Sequence, residues 1–443
     1  MKHLNNPDGY LFDGISSRYW VIQMLKNFMT ALEIAREQIN DAIFMLTNRK
    51  KSTYFTKDTA KMNFKDAIYF ILKGLRKTLQ IEIDDWFEFL GGDNAMTKQA
   101  FSQLRQKIKP DAFIQLNDNY ISWFYNDDNF KKYNGYRLLS IDGSIPEIPN
   151  TVSNREHFGY YHNQSNRKQA RAMVSVIYDM ENDYILESDI RTWKAAERDL
   201  AKELIERLEI KGFKNDLFLF DRGYPSKDIF DFLESKKLKY LMRVKVNKFQ
   251  PEVDTANKPD QIITRIHKNK TLTLRIINVI LPTGEIEKLV TNIMDEDFTT
   301  EDFKVLYFKR WGIEVKYSQL KSRYEMENFS GVNPTAIMQD FYATIYLSNL
   351  MAMAKAEANE KAELSKEGLK YEYKVNMNVL ISKMTRTLIK CFYEDDLEKR
   401  TILFDKAMKN ITKNLVPIRP DRSFPRKEPS RKNKYPVNKK RSV

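Results

Sequence analysis

Three strand-like runs, RLLSID, AMVSVIY and DYILES, follow one another from Tyr136 onward before any helix-like segment intervenes. That order restricts the fold. Strands joined without helices pair antiparallel, so the chain is expected to build a mixed sheet that begins as a meander and not a doubly wound parallel sheet. A helix near AAERDLAKELIERL, the run DLFLFD, a helix near SKDIFDFLES and the run YLMRV come next, an alternation that adds parallel strands through helical crossovers. Between Lys245 and Asp295 the runs TLTLRIINVIL and IEKLVTNI flank the turn signal Pro282-Thr283-Gly284. This reads as a small β-rich insertion, at about residues 246–288, followed by return to the main α/β domain.

The flanks have a different periodicity. From Tyr19 to about Leu90 apolar residues recur at helical spacing with few Gly or Pro, as in YWVIQMLKNFMTALEIAREQI. In GGDNAMTKQAFSQLRQKIKP, Thr97 is suited to cap a helix, Ala100, Phe101 and Leu104 form its apolar stripe, and Pro110 ends it. Its open face carries Lys98, Gln99, Gln103, Arg105 and Gln106. Arg and Gln can make bidentate contacts to base edges, which suits a recognition helix, and the same residues suit the solvated face of any helix. After Thr299 the pattern is helical to about Ala356. FYATIYLSNLMAMAKA is short for a membrane span and is interrupted by Asn349, so it reads as a buried amphipathic helix. A charged stretch and a further helical segment lead to Lys413, and the Arg-, Lys- and Pro-rich tail from Pro417 is expected to order only on binding, contacting DNA nonspecifically. The expected organisation is thus a helical region over 1–130, an α/β domain over 131–355, a second helical region over 356–416, and a basic tail over 417–443.

Lys and Arg outnumber Asp and Glu by 74 to 60, a formal charge of +14. That surplus suits an anionic polymer as partner, although an ordinary basic enzyme has the same balance. The single cysteine, Cys391, excludes an intramolecular disulfide and a thiolate zinc site, in keeping with a reducing cytosol. His157 and His162, two of only four histidines, read as parts of a solvated polar loop. The opening MKHLNNPDGYLFDG lacks the apolar core of a signal peptide, so a cytoplasmic protein is expected.

Two acids end strand-like runs: Asp142 in LLSIDGS and Asp221 in LFLFDRGY. A carboxylate there can project into the crevice where α/β sheets bind ligands, and it can equally serve a turn or a helix cap. In YFKRWGIEVKYSQLK, Tyr307, Arg310, Glu314 and Lys321 are spaced by three, four and seven residues, so one continuous helix would set them on one face. Glu314 could then hold a metal while Arg310 and Lys321 meet phosphates, the plainer alternative being an ordinary i,i+4 ion pair between Arg310 and Glu314. Three carboxylates suit hard divalent cations, and two such ions can clamp the attacking and leaving oxygens of a phosphodiester, with no need for histidine.

Taken together, IDGS, FDRGY and Y-x-x-R-W-x-I-E-x-x-x-x-x-x-K resemble the DDE transposases of bacterial insertion sequences, in the branch named for its Y-R-E-K signature (insertion sequence family four). The resemblance covers about Tyr136 to Gly331. It implies a ribonuclease H-like core in which Asp142, Asp221 and Glu314 bind two Mg²⁺ ions, with Mn²⁺ as substitute, and a β-rich insertion between the second Asp and the Glu. It further implies that Tyr307, Arg310 and Lys321 contact transposon-end phosphates and that Trp311 packs near the site and handles a flipped base. Arg222, beside Asp221, would add a phosphate contact or form a surface ion pair. The implied reaction is hydrolysis of one strand at the element end, attack of the freed 3′-hydroxyl on the other strand to give a hairpin, hairpin opening, and strand transfer into target DNA. The implied partners are double-stranded DNA with terminal inverted repeats, target DNA and a second copy of the chain, in a bacterial, nucleoid-associated setting. The alternatives are a metal-dependent nuclease of the same fold without strand transfer, or a catalytically silent DNA-binding regulator.

Overall fold

Strand β1 (Arg137–Ser144) is the hinge of the architecture, because it pairs in opposite senses on its two sides. The computed structural model describes residues 27–92, 95–162, 166–245, 251–267, 270–281, 284–363 and 371–419. Among the described residues, β1 is preceded by α1 (Phe28–Asn40), α2 (Ala42–Asn48), α3 (Phe64–Leu72), α4 (Leu79–Phe89), α5 (Lys98–Arg105) and α6 (Asp111–Phe124). After it, α7 (Val152–Phe158) and the short β2 (Tyr160–His162) and β3 (Lys168–Ala170) precede β4 (Ala172–Asp179) and β5 (Tyr184–Thr192). β4 is antiparallel to both β1 and β5, which is the meander expected from three strands without an intervening crossover. His157 and His162 are exposed on α7 and β2, so the expected polar loop is a helix end and a strand.

Helix α8 (Glu197–Ile210) then crosses to β6 (Asp216–Phe220), and α9 (Lys227–Ser235) to β7 (Lys239–Val244), both strands running parallel to β1. The order β5-β4-β1-β6-β7, with only β4 reversed, is the ribonuclease H-like arrangement. Leu217, Phe218, Leu219 and Phe220 are all buried, as a central parallel strand covered on both faces requires. At the start of the β1–β6 pair, Arg137 forks onto Asp216 at 2.8 and 3.0 Å, both buried, so the charge at this deep end is paired.

The insertion departs from expectation in its placement. After α10 (Pro251–Asp254), β8 (Asp260–His267), β9 (Lys270–Ile280) and β10 (Ile286–Thr291) join the edge of β7 in the order β7-β10-β9-β8, making one eight-stranded sheet. It is an antiparallel extension of the main sheet, not a separate appendage, and its last strand runs beyond residue 288. Lys288 explains part of the join: its buried ammonium donates to the carbonyls of Val253, Asp254 and Ala256, tying α10 to the sheet. Residues 246–250 and Pro282-Thr283 of the expected turn lie outside the described residues, as do the opening segment, Tyr19 to Lys26 and the tail from Pro420.

Helices α11 (Thr300–Lys309), α12 (Trp311–Ser322) and α13 (Pro334–Glu363) follow. Asn349, in the run read as a buried helix, is fully buried and satisfied: it donates to Asn117 and Ile185 O and accepts from Ile185 N–H, all at 2.7–2.8 Å. Among the described residues no helix is long and apolar enough to cross a membrane. The last elements are β11 (Tyr373–Val375), α14 (Met377–Tyr393), α15 (Leu397–Thr412) and β12 (Leu415–Pro417).

Two compact units divide the chain, and neither ends at residue 130. The larger holds α2 to α6, the sheet and α13 up to Ala352. In the smaller, α1 packs with the C-terminal helices: Phe28 stacks on Phe404, and Arg400 bonds Glu33. Pairing between segments more than 300 residues apart has no periodic signal in the sequence, which is why the N-terminal helices read as one region.

Candidate active site

The strand register brings two acids level. Ser140 pairs with Leu219 across the parallel β1–β6 ladder, and Asp142 and Asp221 each stand two residues further on. Because side chains alternate across a sheet, both project to the same face as Leu138, Leu217 and Leu219, on strands about 4.8 Å apart. Those leucines pack with Phe303, Leu306 and Tyr307 of α11 and with Ile277 and Val279 of β9. The added strands therefore form part of the bed on which α11 lies.

Helix α11 starts in a capping box, Thr299 and Asp302 satisfying each other's backbone N–H. It does not continue unbroken into α12. Arg310 sits between the two, and the N–H groups of Arg310 and Ile313 reach back only three residues, to Tyr307 O and Arg310 O. Gly312 follows, where a Cβ would contact Tyr178 and Met180 of the β4–β5 hairpin at 3.6–3.7 Å. This corrects the expectation of one unbroken helix, although Arg310 keeps its i,i+4 contact to Glu314; Tyr307 and Arg310 are buried, 7% and 9% exposed, whereas Glu314 and Lys321 line an open cleft. Lys316 fixes α12 further, its buried ammonium held 3.0 Å from both Asp183 O and Oδ1.

Asp142, Gly143, Ser144, Glu314, Tyr317 and Lys321 share that cleft. The Tyr317 hydroxyl donates to the backbone carbonyl of Asp142 at 2.9 Å, and Lys321 Nζ lies 2.6 Å from Ser144 Oγ, so α12 is pinned to the end of β1 at two points. Burial pushes the Asp142 carboxyl up to about 7, with Glu197 and Glu314 adding repulsion; the Gly143 N–H and the Arg310 charge oppose this. Arg310 donates to Glu314 Oε1 at 2.8 Å. Burial works against its charge, but Glu314, Tyr307 and Asp221 outweigh it and hold the guanidinium above its usual range. Burial likewise raises the Tyr307 hydroxyl, with Asp221 contributing. Among the described residues the Tyr307 hydroxyl and Arg310 Nε are buried without hydrogen-bond partners. Two unsatisfied donors beside Asp221 are what a site built for an anionic oxygen would leave behind.

Over residues 133–350 the chain matches the family model described as the transposase DDE domain. Residues 133–350 thus carry a transposase DDE domain. It is 24% identical over 269 residues to the transposase InsG for insertion sequence element IS4 of Escherichia coli (strain K12), a match spanning 57% of this chain and 60% of that relative. A piggyBac transposase synaptic complex with hairpin DNA aligns with a TM-score of 0.47 at 14% identity, covering 90% of this chain and 88% of the other. The Drosophila P element transposase strand transfer complex aligns at 0.26 and 10% identity, covering 86% and 78%.

The other residues singled out from sequence are scattered around this domain and the helices before it. Arg222 is exposed in the turn after β6, and Trp311 opens α12 half-exposed, 46%, so it is not a core tryptophan. Thr97 caps α5 through the Ala100 N–H, and Lys98 and Gln99 are exposed on it. Arg105 is not: it is 1% exposed and donates to Gln339, Ser330 and Asp340 at 2.7–2.8 Å, so its guanidinium is a clamp between α5 and α13, not a base reader. Sequence reasoning passed over Glu197 and Tyr317. The one hint of Glu197 was Gly143 itself, whose missing side chain its carboxylate fills.

Divalent metal is the cofactor general to DDE transposases, and the donors here suit it in chemistry: carboxylate oxygens around a cleft, one of them, Asp142, whose charged form burial and the neighbouring Glu197 and Glu314 disfavour. Among the described residues no three His, Cys, Asp or Glu side chains already close on a common point. Arg310 is the cation bonded to Glu314 in this arrangement.

Proposed function

We propose that this chain excises an insertion sequence and transfers its strands into target DNA, with Asp142, Asp221 and Glu314 as the catalytic carboxylates. The observation that carries the reading is the shared register of Asp142 and Asp221 on neighbouring parallel strands, with Glu314 and Lys321 over the same strand end. Those three acids would hold two divalent ions, Mg²⁺ or Mn²⁺. Bound there, the metal would activate the attacking oxygen and stabilise the leaving one in each step.

The chain's own residues supply the rest. Lys321 is poised at the rim to meet a phosphate of the element end, and Arg310 would exchange Glu314 for a phosphate oxygen, its planar fork suiting bidentate contact. The Tyr307 hydroxyl and Arg310 Nε gain partners from the same DNA strand. Trp311 and Arg222, both accessible, would touch DNA beside the cut, Trp311 by stacking on an unpaired base. Lys98, Gln99 and Gln103 are the exposed residues of α5 left to contact the terminal repeat, and the basic segment after Pro417 would add nonspecific phosphate contacts. The reaction would run through hairpin ends, in a dimer paired on two inverted repeats, in the bacterial cytoplasm at the nucleoid.

The test is direct. Purified protein with Mg²⁺ and DNA carrying the repeats that flank the gene is expected to give hairpins and then joined products. Cleavage without joining would make the protein a nuclease of this fold, and binding without cleavage a silent regulator.

A further inference from the structure

At Gly143, next to Asp142, a Cβ would stand 2.7 Å from Glu197 Oε1 and 3.0 Å from Glu197 Cδ, so a side chain there would displace the Glu197 carboxylate. Glu197 is the first residue of α8, which packs on β1, β4 and β5. Alternation along β1 sends Asp142 to one face and the Gly143 position to the other. The Glu197 carboxylate thus reaches the end of β1 from the face opposite α11 and stops against the backbone beside Asp142.

Its orientation is fixed from the other catalytic strand. The Tyr224 hydroxyl, on a side chain 2% exposed, donates to Glu197 Oε1 at 2.8 Å, and Arg198 donates to Gly223 O at 3.1 and 2.7 Å. Tyr224 and Gly223 belong to the turn that opens with Asp221, whose carbonyl accepts the Tyr224 N–H. The first turn of α8 therefore clasps the loops after both Asp142 and Asp221. Among the described residues Glu197 has Tyr224 as its side-chain partner and no lysine or arginine. Across the same strand ends stand the unpartnered Tyr307 hydroxyl and Arg310 Nε, on residues 7% and 9% exposed.

We propose that Glu197 is a fourth carboxylate of the active site, contributing to the divalent ion at Asp142 and oriented for it by Tyr224. The inference rests on the metal reading of Asp142, Asp221 and Glu314 given above. A carboxylate hydrogen-bonded by Tyr224, with no lysine or arginine partner and held against the strand that carries Asp142, is placed for an ion. Tyr224 is a positioning residue, acting through Glu197.

Mn²⁺ binding to the full chain without DNA, followed by calorimetry and by the electron paramagnetic resonance of free Mn²⁺, tests this apart from activity. Glu197→Gln keeps an oxygen for the Tyr224 hydrogen bond and removes only the charge. It is expected to weaken Mn²⁺ roughly tenfold, with Asp142→Asn weakened at least as much and Tyr224→Phe less. Glu197→Asp, which keeps the charge on a shorter arm, should bind between Glu197→Gln and the wild type, and serves in its place if the glutamine variant does not fold. Wild-type affinity in Glu197→Gln, or in a folded Glu197→Asp and Glu197→Ala pair, beside a weakened Asp142→Asn would overturn the inference alone. Wild-type affinity in Asp142→Asn as well would overturn the metal reading beneath it.

Discussion

Two buried arginines divide the molecule into scaffold and machinery. Arg105, between α5 and α13, donates to Gln339, Ser330, Asp340 and the Ala336 carbonyl. Arg310, at the break between α11 and α12, has one carboxylate partner, Glu314, and a buried Nε with none. Burying a guanidinium is costly unless its donors are satisfied. The first arrangement is complete within the chain, and the second is complete only with something from outside it. The difference teaches that burial alone says little of an arginine's part: Arg105 has all three guanidinium nitrogens engaged, and Arg310 does not.

Removing the complete clamp should have the largest effect. Arg105→Ala strands Asp340 and Gln339 and is expected to cost about 3–5 kcal/mol of stability in denaturant titrations, while cleavage per folded molecule stays unchanged. A stable Arg105→Ala with weakened repeat binding would return Arg105 to the DNA-reading role its sequence suggests. Asp142 should show the opposite sign. Its folded-state value of about 7 lies above the usual carboxylate value of 3.8, so its favourable contribution is present below about pH 4 and is lost as pH rises to 7. Asp142→Asn should therefore stabilise the metal-free protein at pH 8 by roughly 2–4 kcal/mol relative to wild type and not at pH 4, as seen by thermal melts across pH. Next, Arg310→Lys keeps the charge but loses the fork. End cleavage should fall roughly 10–100-fold, with stability changed by less than about 1 kcal/mol. A large loss of stability with normal cleavage would make Arg310 a second scaffold arginine. The smallest effect is expected on α5: Lys98→Ala should weaken binding to every DNA sequence a few-fold and lower the salt slope by about one phosphate contact.

How much of this was legible beforehand follows from the range of each signal. The meander and the two crossovers could be read because each strand and helix carries its own period. Asp142 and Asp221 could be read as strand-end acids for the same reason, although their common level comes from a register that no single run contains. Arg105 and Gln106 were misjudged because their partners, Gln339, Asp340 and Asn333, lie more than 220 residues away. The break at Arg310 was hidden because helical spacing runs straight through RWGIE, and the three-residue backbone bonds that mark it leave no trace in that spacing. The joining of β8, β9 and β10 to the main sheet had no local sign either, since a lone hairpin and a sheet extension share one pattern.

The central claim is that Asp142, Asp221 and Glu314 act as one catalytic unit. Its most direct test is cleavage of terminal-repeat DNA in Mg²⁺ by Asp142→Asn, Asp221→Asn and Glu314→Gln, each compared with wild type at matched end binding. Every one of the three is expected to lose roughly a thousandfold or more in cleavage while still binding the repeats, since several kcal/mol of transition-state stabilisation depend on the intact set. A Glu314→Gln protein that cuts at the wild-type rate would contradict the account.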